Sequence, residues 1–168
     1  NKMKRDTIQV NLRSSAFPYA VVDVAKTRID TTGSGLFLNF NSAPSFTPYY
    51  IQVLHRNGLE LWSGNTVSWT NNALIYDFTN AASKAYGSNM KIVSALALRV
   101  GGGFCIFAGD VNQDGAIDAS DASLVDNDAF NFVTGYVSSD VNGDEITDAS
   151  DALLVDNNAY NFVTVSIP

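Results

Sequence analysis

The feature that most constrains this chain is an acidic stretch of twelve residues that occurs twice near the C-terminal end. The first copy runs from Asp110 to Asp121, and the second runs from Asp140 to Asp151. In each copy, side chains that carry oxygen stand at positions one, three, five, nine and twelve. At this spacing one loop can curl around a hard cation and surround it with oxygen ligands. We therefore expect part of the chain to fold around bound metal ions.

Calcium is the ion that this pattern predicts, with one ion in each loop. Positions one, three, five and twelve bind directly, position seven offers its backbone carbonyl, and position nine acts through water. The predicted ligands of the first ion are Asp110, Asn112, Asp114, Ala116, Asp118 and Asp121. Those of the second ion are Asp140, Asn142, Asp144, Ile146, Asp148 and Asp151. Weak, aspartate-rich sites suit the millimolar calcium outside cells, so an extracellular or cell-surface protein is expected.

The duplication continues beyond the loops, because residues 110–134 align with residues 140–164 with seven mismatches. Such agreement indicates an internal repeat. After each loop, apolar residues recur at three- and four-residue steps, which predicts a helix with one apolar stripe. The stripe residues are Ala122, Val125, Ala129 and Phe132, and in the second copy Ala152, Val155, Ala159 and Phe162. We expect the two stripes to pack against each other.

The loops differ at a position where glycine matters. The first has Gly115 at position six, whereas the second has Glu145 there and Gly143 two places earlier. A residue other than glycine in a left-handed turn costs on the order of 1–2 kcal/mol. The second loop is therefore expected to bind calcium more weakly or to wind differently.

Charge is divided unevenly along the chain. All ten Lys and Arg lie between Lys2 and Arg99, where five acidic residues accompany them, and twelve acidic residues follow from Asp110 onward without a Lys or Arg. The acidic part offers no basic patch, so nucleic-acid binding is not expected. Bound divalent cations would relieve its self-repulsion. The apolar residues between the acids argue against a disordered tail.

Residues 1–108 are predicted to form a β domain. Short apolar alternations, with turn residues roughly every eight to twelve positions, favour an antiparallel β-sandwich. Strands are expected at 7–13, 19–24, 36–40, 49–55, 59–62, 67–69, 74–78 and 92–100. Asn57-Gly58 is predicted as a hairpin turn. Residues 80–86 are predicted as a short helical turn capped by Asn80.

Part of this β half resembles a known sandwich family. The segment from Asp30 to Phe40 contains a glycine turn and an aromatic strand, and the tyrosine-led strand Tyr49–Val53 follows it. In this order the segment resembles prealbumin-like or carboxypeptidase-regulatory-like β-sandwiches. The resemblance implies a non-catalytic spacer or adhesion module, although a fold alone does not assign a function.

No catalytic constellation is evident in the sequence. His55 is the single histidine, so any Ser-His-Asp or Cys-His arrangement would depend on it, and its place in an alternating strand is typical of a surface residue. Glu60 and Asp77 are candidates for a glycosidase pair, but two isolated carboxylates are more often solvated charges. Cys105 stands between apolar neighbours and is expected to be a small buried hydrophobe. We therefore do not expect an enzyme.

The aromatic residues of the β half leave two interpretations open. Strand-favouring aromatics usually fill a β core, and this interpretation is favoured. A sugar-stacking platform would make the chain a carbohydrate-binding module, or a C-terminal accessory module of a larger polysaccharide-degrading enzyme. The aromatics concerned are Tyr49, Tyr50, Trp62, Trp69 and Tyr76.

The duplicated segment resembles the dockerin family, because both loops end in Asp rather than Glu and each precedes a helical pattern. In that family two EF-hand-like calcium repeats dock onto a cohesin in cellulosome-like assemblies. The resemblance implies that residues 109–168 form a small α-helical dockerin-like domain after the sandwich of residues 1–108. Cohesin-binding members often carry a hydroxyl pair at loop positions ten and eleven and then a Lys-Arg pair. This chain has Ala119-Ser120 and Asp126-Asn127 there, and the second repeat matches it.

Together these features predict a secreted, non-catalytic structural module for assembly or attachment outside the cell. Two kinds of protein partner remain open: a cohesin-like domain on another protein, or copies of the same chain in a filament. In a filament, the strand Ile8-Val10-Leu12 is a candidate for donation to a neighbour's sheet. No membrane span is expected, because no apolar run is long enough.

Overall fold

The computed structural model describes residues 6–30, 34–35, 39–70, 73–93 and 102–168. Most of the predicted strands at 36–40 and 92–100 lies outside these residues. The chain divides into two units. Unit 1 comprises Asn1–Leu54, Leu61–Cys105 and Ser166–Pro168, and unit 2 comprises His55–Glu60 and Ile106–Val165. The predicted boundary between residues 108 and 109 stays a prediction.

Unit 1 is built on antiparallel sheets, as its alternating pattern predicts. Four strands lie in the order β2-β1-β3-β4, with β1 and β2 paired from Asp6–Ile29 to Arg13–Val21. A second sheet pairs β5 with β6. The strands are β1 Asp6–Ser14, β2 Val21–Ile29, β3 Tyr49–His55, β4 Leu61–Trp62, β5 Lys91–Val93 and β6 Gly103–Cys105. The sandwich arrangement of these sheets stays a prediction.

The core of unit 1 follows the period of two expected for strands. Val10 and Leu12 of β1 are buried with Tyr49 and Ile51 of β3, because alternate residues point to the same face. Trp69 stacks on Tyr49, with ring centroids 5.2 Å apart. These aromatic side chains therefore belong to the core.

Three local predictions in unit 1 need correction. Residues 67–69 form an isolated bridge from Val67 to Tyr49 rather than a strand, and residues 74–78 contain no strand. The predicted helical turn is present as two 3₁₀ turns, Ala82–Lys84 and Tyr86–Ser88. The residue at its N-cap is Ala81 rather than Asn80, and no side chain caps the turn; the Asn80 amide donates to the carboxylate of Asp77.

The structure confirms the hairpin predicted around Asn57-Gly58 but does not form a tight turn at these two residues. β3 and β4 form an antiparallel hairpin, with Gln52 opposite Trp62 and Val53 opposite Leu61. A tight two-residue turn of type I′ needs positive φ at both central residues. Asn57 and Gly58 are not among the residues with positive φ, and the segment His55–Glu60 belongs to unit 2.

Unit 2 contains the two predicted helices, Ala119–Phe130 and Ala149–Tyr160. Each begins with a reciprocal capping box, in which two carboxylates each accept a hydrogen bond from the backbone N–H of the other residue. These residues are Asp118 and Asp121 in the first helix and Asp148 and Asp151 in the second. Both helices continue through the Asp- and Asn-rich stretches at 126–128 and 156–158. Among the described residues, no helix is long and apolar enough to cross a membrane.

The core of unit 2 confirms the centre of the predicted stripes and corrects their ends. Val125 and Val155 are 0% exposed and pack with Val111, Ile117 and Leu59. Phe132 and Phe162, by contrast, are each 86% exposed. Each follows the end of its helix with a positive φ, which turns it away from the buried face.

Replacing Leu59 tests whether the hexapeptide His55–Glu60 completes this core. Leu59→Ala should lower the free energy of unfolding of unit 2 by about 2–5 kcal/mol, because it removes a fully buried side chain. Chemical denaturation of the calcium-saturated protein measures this change. Leu153→Ala is the control, since Leu153 is 61% exposed and its loss should change little. Equal effects of the two substitutions would contradict the assignment.

Candidate metal centre

Each repeat loop winds around the carboxylate of its first residue. Asp110 accepts hydrogen bonds from the N–H of Asp114 at 3.1 Å and of Gly115 at 3.3 Å. Asp140 accepts from the N–H of Gly143, Asp144 and Glu145 at 2.9, 3.0 and 3.2 Å. Both carboxylates are buried. The loops are thus closed around an anionic group at the same position.

The last aspartate of each loop is also fully buried and closes the ring. Asp121 accepts from the N–H of Val111 at 2.7 Å, of Asn112 at 3.1 Å and of Asp118 at 3.0 Å. Asp151 repeats these three bonds in the second loop. Position twelve is therefore tied to positions two and three and to the cap of the helix.

The residues at positions three and five form successive turns. Asn112 Oδ1 accepts from the N–H of Asp114 at 2.9 Å, and Asp114 Oδ1 accepts from that of Ala116 at 3.0 Å. The Asn112 amide also donates to Asp114 Oδ2 and to Ser120 Oγ. Asn142, Asp144 and Ser150 repeat these contacts. The hydroxyl at loop position eleven is therefore engaged within the loop.

Position seven lies on a short bridge to the opposite repeat. Ala116 pairs with Thr164, through bonds from Ile117 N–H to Val163 and from Val165 N–H to the Gly115 carbonyl. Ile146 pairs with Thr134 in the same way. This pattern makes position seven a non-hydrogen-bonded pair, so its own carbonyl stays out of the ladder. The oxygen of that carbonyl is the backbone ligand predicted for calcium.

Position nine behaves differently from the buried positions. Asp118 and Asp148 are exposed and cap their helices. Hydrogen bonds from the hydroxyl and backbone N–H of Ser120 lower the pKa of Asp118, and Ser150 lowers the pKa of Asp148 likewise. An exposed, ionised carboxylate suits the water-mediated role predicted for this position.

The first loop concentrates negative charge. Burial, together with the negative charges of Asp121 and Asp114, raises the pKa of Asp110 to about 6 in spite of the backbone N–H bonds that lower it. The carboxylates of positions one, five and twelve are therefore close enough to repel one another. A bound cation would reverse this repulsion.

The two loops have the same winding, which corrects the expectation of a differently wound second loop. In the first loop Gln113 has φ of 60° and Gly115 has φ of 88°, and in the second Gly143 has 79° and Glu145 has 72°. Each loop thus contains two left-handed positions, of which glycine occupies one. Each loop therefore holds one residue other than glycine in a left-handed conformation, so backbone strain is present in both loops and not in the second alone.

The donor set fits calcium by its chemistry. In the described ranges, no three His, Cys, Asp or Glu side chains form a group that could hold a metal ion. The set that each loop offers is instead mixed, with carboxylate, amide and backbone carbonyl oxygens, and calcium accepts all three. No His or Cys lies in either loop. The assignment of these residues as calcium ligands stays a prediction.

The structure adds residues that sequence reasoning missed. The Gln113 amide donates to the carbonyls of Asp110 and Gly58. The repeats differ at Asp128 and Asn158, and the two side chains make different contacts. Asp128 accepts a hydrogen bond from the hydroxyl of Ser139, which precedes the second loop. The Asn158 amide donates to the carbonyl of Ala108, which precedes the first loop. No local pattern signals the contacts with Gly58, Ser139 and Ala108, because these residues lie 55, 11 and 50 positions from their partners.

The two carboxylates considered as a glycosidase pair belong to different units. Asp77 is exposed in unit 1, where bonds from Thr79 lower its pKa, and Glu60 lies in unit 2. Of the five aromatics considered for a sugar platform, Tyr49 and Trp62 are buried. The side chains that would form a flat stacking surface are therefore partly used in the core.

Comparison with known families decides the nature of the repeats. Residues 108–159 match the dockerin type I domain. The resemblance carried by the duplicated loops is thereby confirmed. No curated protein and no solved structure gives a significant match to the chain. Dockerin domains are non-catalytic, calcium-binding, EF-hand-like modules for protein–protein interaction, which bind cohesin partners and occur in extracellular or cell-surface proteins.

The two repeat loops allow a test of backbone strain. Glu145→Gly should raise the free energy of unfolding by about 0.5–1 kcal/mol, because relief of the left-handed conformation exceeds the added flexibility of the unfolded chain. Gly143→Ala is the matched control and should lower it by a similar amount. Denaturation in saturating calcium measures both. A Glu145→Gly protein less stable than the parent would contradict the shared-strain interpretation.

Calcium uptake by the first loop should weaken in acid. In an Asp140→Ala protein, in which only the first loop keeps its full ligand set, affinity should fall by up to tenfold from pH 6 to pH 5. The cause is that protons compete for Asp110, whose pKa lies at about 6. Calcium titration at pH 7, 6 and 5 measures this. An affinity that stays constant over this range would exclude proton competition at Asp110.

Proposed function

We propose that this chain is a secreted, non-catalytic module that binds two calcium ions and docks onto a protein partner for assembly or attachment outside the cell. The observation that carries the proposal is the dockerin match, which falls on two loops of the same winding and closely similar hydrogen bonding. The proposed ligands are the six positions of each loop, from Asp110 to Asp121 and from Asp140 to Asp151. The positive charge of bound calcium would offset the negative charge of these oxygens.

The charge of unit 2 supports a need for cations. Thirteen acidic residues fall within it, and Arg56 is its only Lys or Arg. Four of the carboxylates, those of Asp110, Asp121, Asp140 and Asp151, are at most 2% exposed. Burial of an ionised carboxylate is costly unless an opposite charge compensates it. Calcium binding would thus be coupled to folding of the unit.

A duplicated apolar surface is the proposed partner face. Phe130 and Tyr160 occupy equivalent positions, as do Phe132 and Phe162, and all four are 83–86% exposed. Exposed aromatic residues are typical of interaction sites. Asp126 and Asn127 are also exposed where cohesin-binding members often carry a basic pair. The proposed partner is therefore a cohesin-like domain whose contact surface is not acidic.

Charge also supports the second kind of partner, copies of the same chain. The part of the sequence up to Arg99 is basic in balance and the part from Asp110 is acidic. Opposite charges at the two ends of a chain favour head-to-tail contacts between copies, which extend into filaments when they do not close. We treat this as the alternative to a cohesin-like partner.

Binding to a panel of purified cohesin domains tests the proposal. We expect calcium-dependent capture that is lost in chelator and in an Asp110→Ala, Asp140→Ala double variant, because both loops then lack their first ligand. Asp77→Ala is the control, since Asp77 lies in unit 1. Calcium titration and sedimentation run in parallel. Two calcium sites with self-association and no cohesin capture would favour the alternative, and no calcium uptake would overturn both.

A further inference from the structure

The segment His55–Glu60 belongs to unit 2 although it lies far ahead of the repeats in the sequence. Its flanks continue into β3 and β4, so the segment is held by the chain at both ends. Gly58 forms an antiparallel bridge with Ala108, and the Leu59 N–H donates to the Phe107 carbonyl at 2.8 Å. Unit 2 is thus assembled from this hexapeptide as well as from the two repeats.

Asn57 joins the beginnings of both calcium loops. Its amide donates to the carbonyl of Asp140 at 2.9 Å and to that of Ser138 at 3.1 Å. Its backbone carbonyl accepts from the N–H of Gly109 at 2.7 Å. Asp140 is the first residue of the second loop, and Gly109 directly precedes Asp110. Asn57, which is 2% exposed, therefore joins the points where the two loops begin, with its side chain bonded to the second and its backbone bonded just ahead of the first.

The neighbours of Asn57 reinforce this link on both sides. The guanidinium of Arg56 donates to the carbonyls of Val137 and Asp140, the latter at 3.0 Å, and lies over the ring of Tyr136. On the other side, the Gly58 carbonyl accepts from the amide of Gln113 in the first loop. The hexapeptide thus contacts the Gln113 side chain of the first loop and the backbone at the start of the second, and Leu59 anchors it in the core.

We infer that His55–Glu60 is an integral part of the calcium-binding unit, with Asn57 as the positioning residue that couples the two loops. The inference rests on the proposed calcium function. The first carboxylate of each loop can meet its ion only when the backbone that precedes it is correctly placed. Asn57 fixes that backbone at Gly109 and at Asp140 together. Because binding linkage is reciprocal, calcium must in turn stabilise the hexapeptide.

Calcium titration of the full chain tests the role of Asn57. Asn57→Ala should weaken the second calcium site by roughly tenfold, since the carbonyls of Ser138 and Asp140 lose the side-chain amide that links them to the first loop. Asn11→Ala is the matched control: Asn11 is also buried, and its amide donates to Gln52 at 2.7 Å within unit 1. Affinities in the control should stay within twofold of the parent. Unchanged affinity at the second site in Asn57→Ala would overturn the inference.

Hydrogen exchange on the unsubstituted protein gives a second test that does not depend on a variant folding. Chelation should reduce protection of the Leu59 and Gly109 amides, whose partners are Phe107 and Asn57. Protection of the Val67 amide, bonded to Tyr49 in unit 1, should stay the same. Loss of protection at Leu59 and Gly109 supports the inference, and protection independent of calcium overturns it. An absence of calcium uptake by the parent protein is a separate outcome, which refutes the proposed function itself.

Discussion

Unit 2 depends on the burial of the carboxylates that open and close its two loops. Asp110, Asp121, Asp140 and Asp151 are withdrawn from solvent and surrounded by backbone N–H donors. Such donors orient and stabilise an anion, but they carry no net positive charge. Arg56, whose guanidinium lies 3.9 Å from Asp140, is the only residue among the Lys and Arg of the chain that belongs to the unit. This imbalance is the physical reason for regarding the loops as cation sites, and the family match points in the same direction.

The two repeats have preserved their backbone while exchanging side chains in compensating ways. The glycine moves from position six to position four, and the left-handed conformations stay where they were. The acceptor Asp128 becomes the donor Asn158, and each finds a partner of the opposite kind before the opposite loop. Because helix ends and loop walls remain equivalent, both repeats also expose the same aromatic positions. A surface duplicated in this way offers a partner two similar faces.

The hexapeptide His55–Glu60 extends unit 2 beyond the part that the family match covers. The family match begins at residue 108, so it contains neither Asn57 nor Leu59. Yet Leu59 lies in the same core as Val125 and Val155, and Asn57 bonds to the residues where both loops begin. A structural unit can therefore be wider than the sequence family by which part of it is recognised.

The sequence by itself determined the features that depend on local spacing. Oxygen-bearing residues at fixed loop positions, aspartate caps and a three-to-four-residue apolar step specify loop and helix, because each requires only neighbours along the chain. Alternation likewise placed β1 and β3. Tertiary structure alone decided the rest. Asn57-Gly58 has a turn-like sequence but joins unit 2, and Phe132 continues an apolar stripe but faces solvent, because long-range packing fixes backbone direction at these points.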